Sequence, residues 1–247
     1  MGRSGSPSWE TWQDPPNGSS GDLNVVLRVI TSESESSSCT SLFFERPRGF
    51  AYGPGDWVDL RFLAPELAVG RTFSFSSSPS EADLRITFKH GISPFKRELI
   101  ACRPGDTLLI TQFGSNGFKM TPRKHAIMIA GGVGIAPFRS MLRAALDSGV
   151  SVSADVVFVR RGSDMPFREE MASWREIEPG IRIHDVITGS GRRLDDERAP
   201  RVQRLAALCD IGDGRRHSPA SPSVMGSPIR SRMRQNGCWS QNRQVCG

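Results

Sequence analysis

The sequence predicts two domains of different class: an antiparallel six-stranded β-barrel, then a doubly wound parallel α/β domain. Three observations carry this. Six short β-branched or aromatic stretches, separated by turn residues, fill residues 22–121. After Thr121-Pro122 the pattern changes to strand–helix alternation. The first junction of that second part is Gly131-Gly132-Val133-Gly134-Ile135-Ala136-Pro137. It is a glycine turn between the apolar run Ala126-Ile127-Met128-Ile129-Ala130 and an amphipathic run over residues 138–146.

The elements follow in order. Residues 1–21 are rich in Ser, Gly and Pro with no apolar block; they read as a disordered leader, not a secretory signal. Residues 23–30 form the first strand, 32–38 a polar turn, and 40–45 the second strand. Tyr52-Gly53-Pro54-Gly55-Asp56 is turn chemistry. Residues 57–62 alternate as a third strand. Strands over 71–76, 84–89 and 107–112 complete the set. Ser93-Pro94 reads as an N-cap followed by proline at the first helical position, with a short helix over 95–99. With Lys96 and Arg97 beside it, this helix start is a candidate anion site. The plainer reading is a capped helix with solvated basic residues.

In the second domain, residues 122–208, strands are expected over 126–130, 152–160 and 181–188. Helices are expected over 137–148, 165–177 and 194–208. Ligands of such sheets sit at the carboxyl ends of the strands. Glycines permit close approach of backbone to ligand, and a helix N-terminus attracts phosphate, so residues 131–137 read as a dinucleotide pyrophosphate loop. Residues 209–247 show few aliphatics and no periodicity. They supply no fourth strand and read as an atypical, disordered tail, of the kind a shifted reading frame or an alternative terminus would produce. The α/β domain is then C-terminally incomplete.

Composition excludes several classes. Of the net charge of +6, residues 209–247 carry +4, leaving the remainder nearly balanced. No basic patch argues for nucleic acid. No run of about 18 apolar residues argues for a membrane span. Cys39, Cys102, Cys209, Cys238 and Cys246 match no zinc or plant-type iron–sulfur spacing, so no metal is expected. Scattered thiols without a signal suggest a cytoplasmic protein. His90, His125, His184 and His217 show no triad or metal spacing and receive no catalytic role.

Taken together, Arg71-Thr72-Phe73-Ser74, Ser93-Pro94-Phe95-Lys96 and residues 131–137 resemble, in that order, the ferredoxin–NADP reductase family of flavin oxidoreductases, over roughly residues 22–208. The resemblance implies an FAD-binding barrel followed by an NAD(P)-binding domain. In it, Arg71 would bind the flavin phosphate. Phe73, where the family usually has Tyr, would stack on the isoalloxazine ring. Ser74 would hydrogen-bond near the reactive N5, the catalytic position. From the strand pattern alone, residues 71–76 are an ordinary strand with Phe73 and Phe75 in the core.

The resemblance further implies that Ser93, Phe95 and Lys96 receive the flavin pyrophosphate, with Gly91 supplying the turn before them. Gly117-Phe118 resembles the end of the flavin domain. Gly131, Gly132, Gly134 and Pro137 match the nicotinamide-nucleotide loop, which places Ile135 and Ala136 by the nicotinamide. Arg160 and Arg161 fall where the family contacts the adenosine ribose, and leave NADPH and NADH both open. Pro166-Phe167-Arg168-Glu169-Glu170 resembles the opening of the second helix and takes a packing role. The implied activity is hydride transfer from NAD(P)H to FAD, with electrons passed by a monomer to a redox partner protein or small acceptor. One departure stands out. The family's C-terminal Cys-Gly motif, which places a thiol by the nicotinamide, is absent after Leu208. The alternative expectation is therefore a flavin-binding protein without catalytic competence.

Overall fold

The computed structural model describes residues 24–67, 69–115, 117, 120, 124–160, 162–187 and 225–226. The first domain is a six-stranded sheet. Its strands are β1 (Val25–Ser36), β2 (Cys39–Phe44), β3 (Trp57–Phe62), β4 (Arg71–Ser74), β5 (Leu84–Lys89) and β6 (Thr107–Gly114). They run in the order β4-β3-β6-β1-β2-β5, each neighbour antiparallel. A bridge from Phe75 to Ile86 joins the two outer strands and closes the barrel. Alternation puts Val58, Leu60 and Phe62 of β3 inside. Leu27, Leu42, Phe44, Phe75, Leu84 and Ile86 meet them there, fully buried. Helix α1 (Pro94–Ala101) adds Phe95 and Leu99 to this core.

One expectation is corrected. The polar turn over 32–38 shrinks to Ser37-Ser38, because Ser32, Glu33 and Ser34 pair with Leu42, Ser41 and Thr40 of β2. Serines and glutamates are tolerated there because a hairpin strand keeps its backbone bonds while one face meets water.

The second domain holds β7 (Ala126–Gly131), helix α2 (Ala136–Asp147), β8 (Ala154–Arg160), helix α3 (Arg168–Ile177), β9 (Ile181–Ile187) and β10 (Met225–Gly226). Its strands are parallel, in the order β10-β7-β8-β9. Phe138, Met141 and Leu142 of α2, and Met171 and Trp174 of α3, pack with Met128, Val156 and Phe158 of the sheet. The three-stranded expectation is corrected: Met225 and Gly226 pair with Met128 and Ile129 and add a fourth strand. Such a pairing uses backbone groups alone, which is why serine- and proline-rich sequence gave no sign of it. The expected leader, the helix over 194–208 and the rest of residues 209–247 lie outside the described residues. Among the described residues, no helix is long and apolar enough to cross a membrane.

The chain leaves β7 for β8 and β9 on one side and returns to β10 on the other. Strand order therefore reverses at β7. In an open parallel sheet, the ligand crevice opens at the carboxyl end of such a switch point.

Candidate functional site

At that carboxyl end sits the glycine turn. Gly131 ends β7, Gly132 adopts φ +54°, and residues Gly132–Ile135 make one 3-10 turn into α2. A side chain at position 132 would be strained in this left-handed conformation, so glycine fits the turn. Pro137 lies in the first turn of α2, where its missing N–H costs nothing. Gly134 and Ile135 are buried. The turn packs against β5 of the barrel as well as against β7 and β8. The loop read as nucleotide-binding thus sits at the junction of the two domains.

The barrel supplies the second half. The structure brings two of the sequence blocks together: the Arg71 guanidinium lies over the Phe95 ring at 5.8 Å, and Phe73 stacks on Phe95 at 6.2 Å and 21°. Beside them, the Ser93 hydroxyl accepts from the Lys96 amide at 3.3 Å and caps α1. Lys96 folds across Gly91, where a Cβ would come within 2.7 Å of its Cδ. Burial and the nearby Lys89 lower the Lys96 pKa. Arg71, Ser93, Lys96 and Lys89 together form a cationic helix start suited to a diphosphate.

The residues of β4 divide between faces. Phe73 pairs across the ladder with Val58, and Ser74 with Trp57. Phe73 is 8% exposed, between Phe88 and Phe95, and belongs to the core. The ring's partners are therefore protein, as the strand pattern alone implied. Thr72 is exposed and its hydroxyl donates to Asp59. Ser74 is buried on the same face as Trp57. Gly117 is described, at φ +72°; Phe118 is not.

Arg160 is already engaged. Its Nε donates to Asp185 Oδ1 at 2.7 Å and its Nη2 to Asp185 Oδ2 at 2.5 Å, across β8 and β9. Its Nη1 donates to the Gly162 carbonyl. Arg161 lies outside the described residues. Phe167 caps α3 at φ +60°, its ring between Arg85 at 4.9 Å and Arg139 at 5.6 Å. Packing was the role expected of this block.

Sequence reading missed the seam that joins the domains. Arg139 of α2 donates to the Ser76 carbonyl at 2.6 Å and forms ion pairs with Glu81 and Glu170. Burial works against its charge, but hydrogen bonds to both carboxylates outweigh that and raise its pKa. Burial also pushes Glu81 up, yet Arg139 holds it below its ordinary value. Ser140 donates to the Ser77 carbonyl at 2.6 Å and accepts from the Gly55 amide at 3.2 Å. Tyr52 donates to the Ser78 carbonyl at 2.9 Å, which fixes the buried serine run 76–78. Asp164 accepts from Ser37 Oγ at 2.9 Å and from the Ser38 amide at 3.3 Å. A cleft of about 500 Å³ opens near this contact, lined in part by Glu35, Arg85, Asp164 and Glu170. None of Arg71, Ser74, Lys96 or the glycine turn lines it.

Known proteins resemble this chain in sequence and in fold. The family model for the oxidoreductase NAD-binding domain matches residues 128–207. Ferredoxin--NADP reductase B of Sorangium cellulosum (strain So ce56) is 30% identical over 173 residues, covering 66% of this chain and 70% of that protein. Human Dual oxidase 1 is 29% identical over 129 residues, which is 48% of this chain and 8% of that protein. Among solved structures, ferredoxin-NADP+ reductase from Plasmodium falciparum with 2'P-AMP gives a TM-score of 0.66 at 17% identity, covering 77% of this chain and 87% of that one. A ferredoxin NADP+ reductase from Neisseria gonorrhoeae with bound FAD and NADP gives 0.60 at 18% identity, covering 81% and 82%.

Proposed function

This chain belongs to the ferredoxin–NADP reductase-like family of flavin oxidoreductases, and from that membership we propose that it moves a hydride from NAD(P)H to bound FAD. The electrons then pass to a redox partner protein or a small acceptor. The observation that carries this reading is the packing of the glycine turn Gly132–Ile135 against β5 of the barrel. The turn read as nucleotide-binding thus meets the barrel that carries the flavin-type blocks, as a direct transfer between their ligands would require.

The residues present fit FAD. The cleared space over Gly91 seats Lys96 at the α1 N-terminus, next to Lys89 and Arg71. Among the described residues neither lysine has an ion-pair partner. Arg71 and Lys96 would hold the diphosphate, and the Phe95 N–H at the start of the helix, left over once Ser93 takes the Lys96 and Arg97 amides, would donate to it. Ser74 would offer its hydroxyl to the reactive edge of the ring system. Phe73 backs the site from the core. On the other domain the turn at Gly131, Gly132 and Gly134 would receive the nucleotide diphosphate, with Ile135 excluding water near the nicotinamide. A flavin held there would supply hydride acceptance and the release of electrons singly or as a pair.

The test is an anaerobic titration of the FAD-loaded protein with NADPH, then NADH. Loss of the oxidised-flavin band is expected with at least one nucleotide. A band that persists under both overturns the reductase reading and leaves a flavin-binding protein without catalytic competence. A protein that retains no FAD overturns both readings.

A further inference from the structure

Arg139 is 3% exposed and lies two residues after Pro137 on α2. A guanidinium has five N–H donors, and here each has an acceptor. Nε donates to Glu170 Oε2 at 2.8 Å, and Nη2 to Glu170 Oε1 at 2.6 Å. Nη2 also donates to Glu81 Oε1 at 2.9 Å, and Nη1 to Glu81 Oε2 at 2.7 Å. The fifth bond runs from Nη1 to the Ser76 carbonyl at 2.6 Å. Glu81 and Ser76 belong to the barrel; Glu170 belongs to α3. One planar group therefore grips two carboxylates in forks and one backbone carbonyl, across both domains.

The placement matters more than the number of bonds. Ser76 lies two residues beyond Ser74, and Arg139 four residues, about one helical turn, beyond Ile135 at the end of the glycine turn. The lever arms between this grip and the two proposed reacting positions are thus very short. Buried ion pairs recover their desolvation cost poorly, so their clearest use is to fix one register among several. A guanidinium with no donor left over tolerates little sliding before a bond is lost.

We infer that Arg139 is a positioning residue that sets the depth at which the nucleotide turn meets the flavin strand. It thereby controls the rate of hydride transfer without touching either cofactor. The inference rests on the flavin–nicotinamide reading above.

The experiment compares the wild type with Glu81→Gln, Arg139→Lys and Arg139→Gln, all FAD-loaded and mixed anaerobically with saturating NAD(P)H. Glu81→Gln leaves the Arg139–Glu170 fork in place, so it reports even if Arg139→Gln fails to fold. A displacement near one ångström costs on the order of 100-fold in rate. The limiting rate of flavin bleaching should fall about 10-fold in Glu81→Gln and about 100-fold in Arg139→Gln. Arg139→Lys should restore part of that rate, since charge returns without the fork. FAD retention, the half-saturating nucleotide concentration and reduction by dithionite should stay as in the wild type. Equal bleaching rates in wild type and variants overturn the inference and leave the reductase reading standing. Variants that lose FAD, or only nucleotide affinity, overturn it as well. A wild type that nucleotide fails to bleach, yet dithionite reduces, overturns the reading beneath it and the inference together.

Discussion

Gly91 shows how a single missing atom shapes the barrel's cationic corner. A Cβ there would press on Lys96 Cδ at 2.7 Å, and the obstacle is a flexible side chain, not backbone. Gly91→Ala should therefore cost little stability, within about 0.5 kcal/mol as for most surface substitutions. It should swing Lys96 away from the α1 N-terminus and weaken FAD binding roughly 10-fold, the value of one lost charge-assisted contact. A fluorescence titration of FAD into the apoprotein measures this. An unchanged Kd would mean that the diphosphate does not sit by Lys96. Part of this corner was legible in the sequence: the glycine and the Ser-Pro cap act through their own backbone neighbourhood, but Arg71 came only with the family resemblance and Lys89 was missed, since each reaches α1 from another strand. Arg139 was not, because its carboxylate partners lie 58 and 31 residues away and no local pattern links them. Phe73 lies between these cases. Alternation along β4 places it inside, and the structure keeps it there.

Among the elements, β8 and β9 bear on which nucleotide is used. Arg160 would suit a 2′-phosphate, but the Asp185 carboxylate on the neighbouring strand holds it in a fork. Asp185→Asn removes that competing charge. If Arg160 faces the ribose, the ratio of kcat/KM for NADPH over NADH should rise, roughly three- to tenfold. Steady-state rates with both nucleotides measure it, and an unmoved ratio removes Arg160 from the ribose site. Element boundaries were readable where side chains alternate. β3 (Trp57–Phe62) and β5 (Leu84–Lys89) match residue for residue. They failed where pairing, not composition, makes the strand. Ser32 to Ser36 is polar throughout yet extends β1 because β2 lies beside it. β10 is held by the backbone edge of β7 in the same way.

At the scale of the whole molecule, Asp164 ties the α/β domain to the turn between β1 and β2. Burial pushes its carboxyl up, but hydrogen bonds from Ser38 and Ser37 outweigh that and hold it at about 2. A folded pKa below the ordinary 3.8 means the contact stabilises the closed arrangement fully above about pH 4. The contribution is lost as pH falls towards 2. Asp164→Asn should therefore lower the thermal midpoint at pH 5 and above, and the gap from wild type should close between pH 4 and 2. A gap of constant size down to pH 2 would show that the carboxylate's charge is not what matters. Other hydrogen bonds of the seam are made the same way, from Arg139, Glu81, Ser140, Ser77 and the Gly55 amide. Each of these groups bonds to water nearly as readily as to its present partner. Prising the domains apart would therefore hand these bonds to water, but it would also bare the Phe167 ring that lies on Arg85 and the Met141 side chain beside Gly55. Added salt would loosen the more exposed ion-paired part of such a joint and tighten its apolar part.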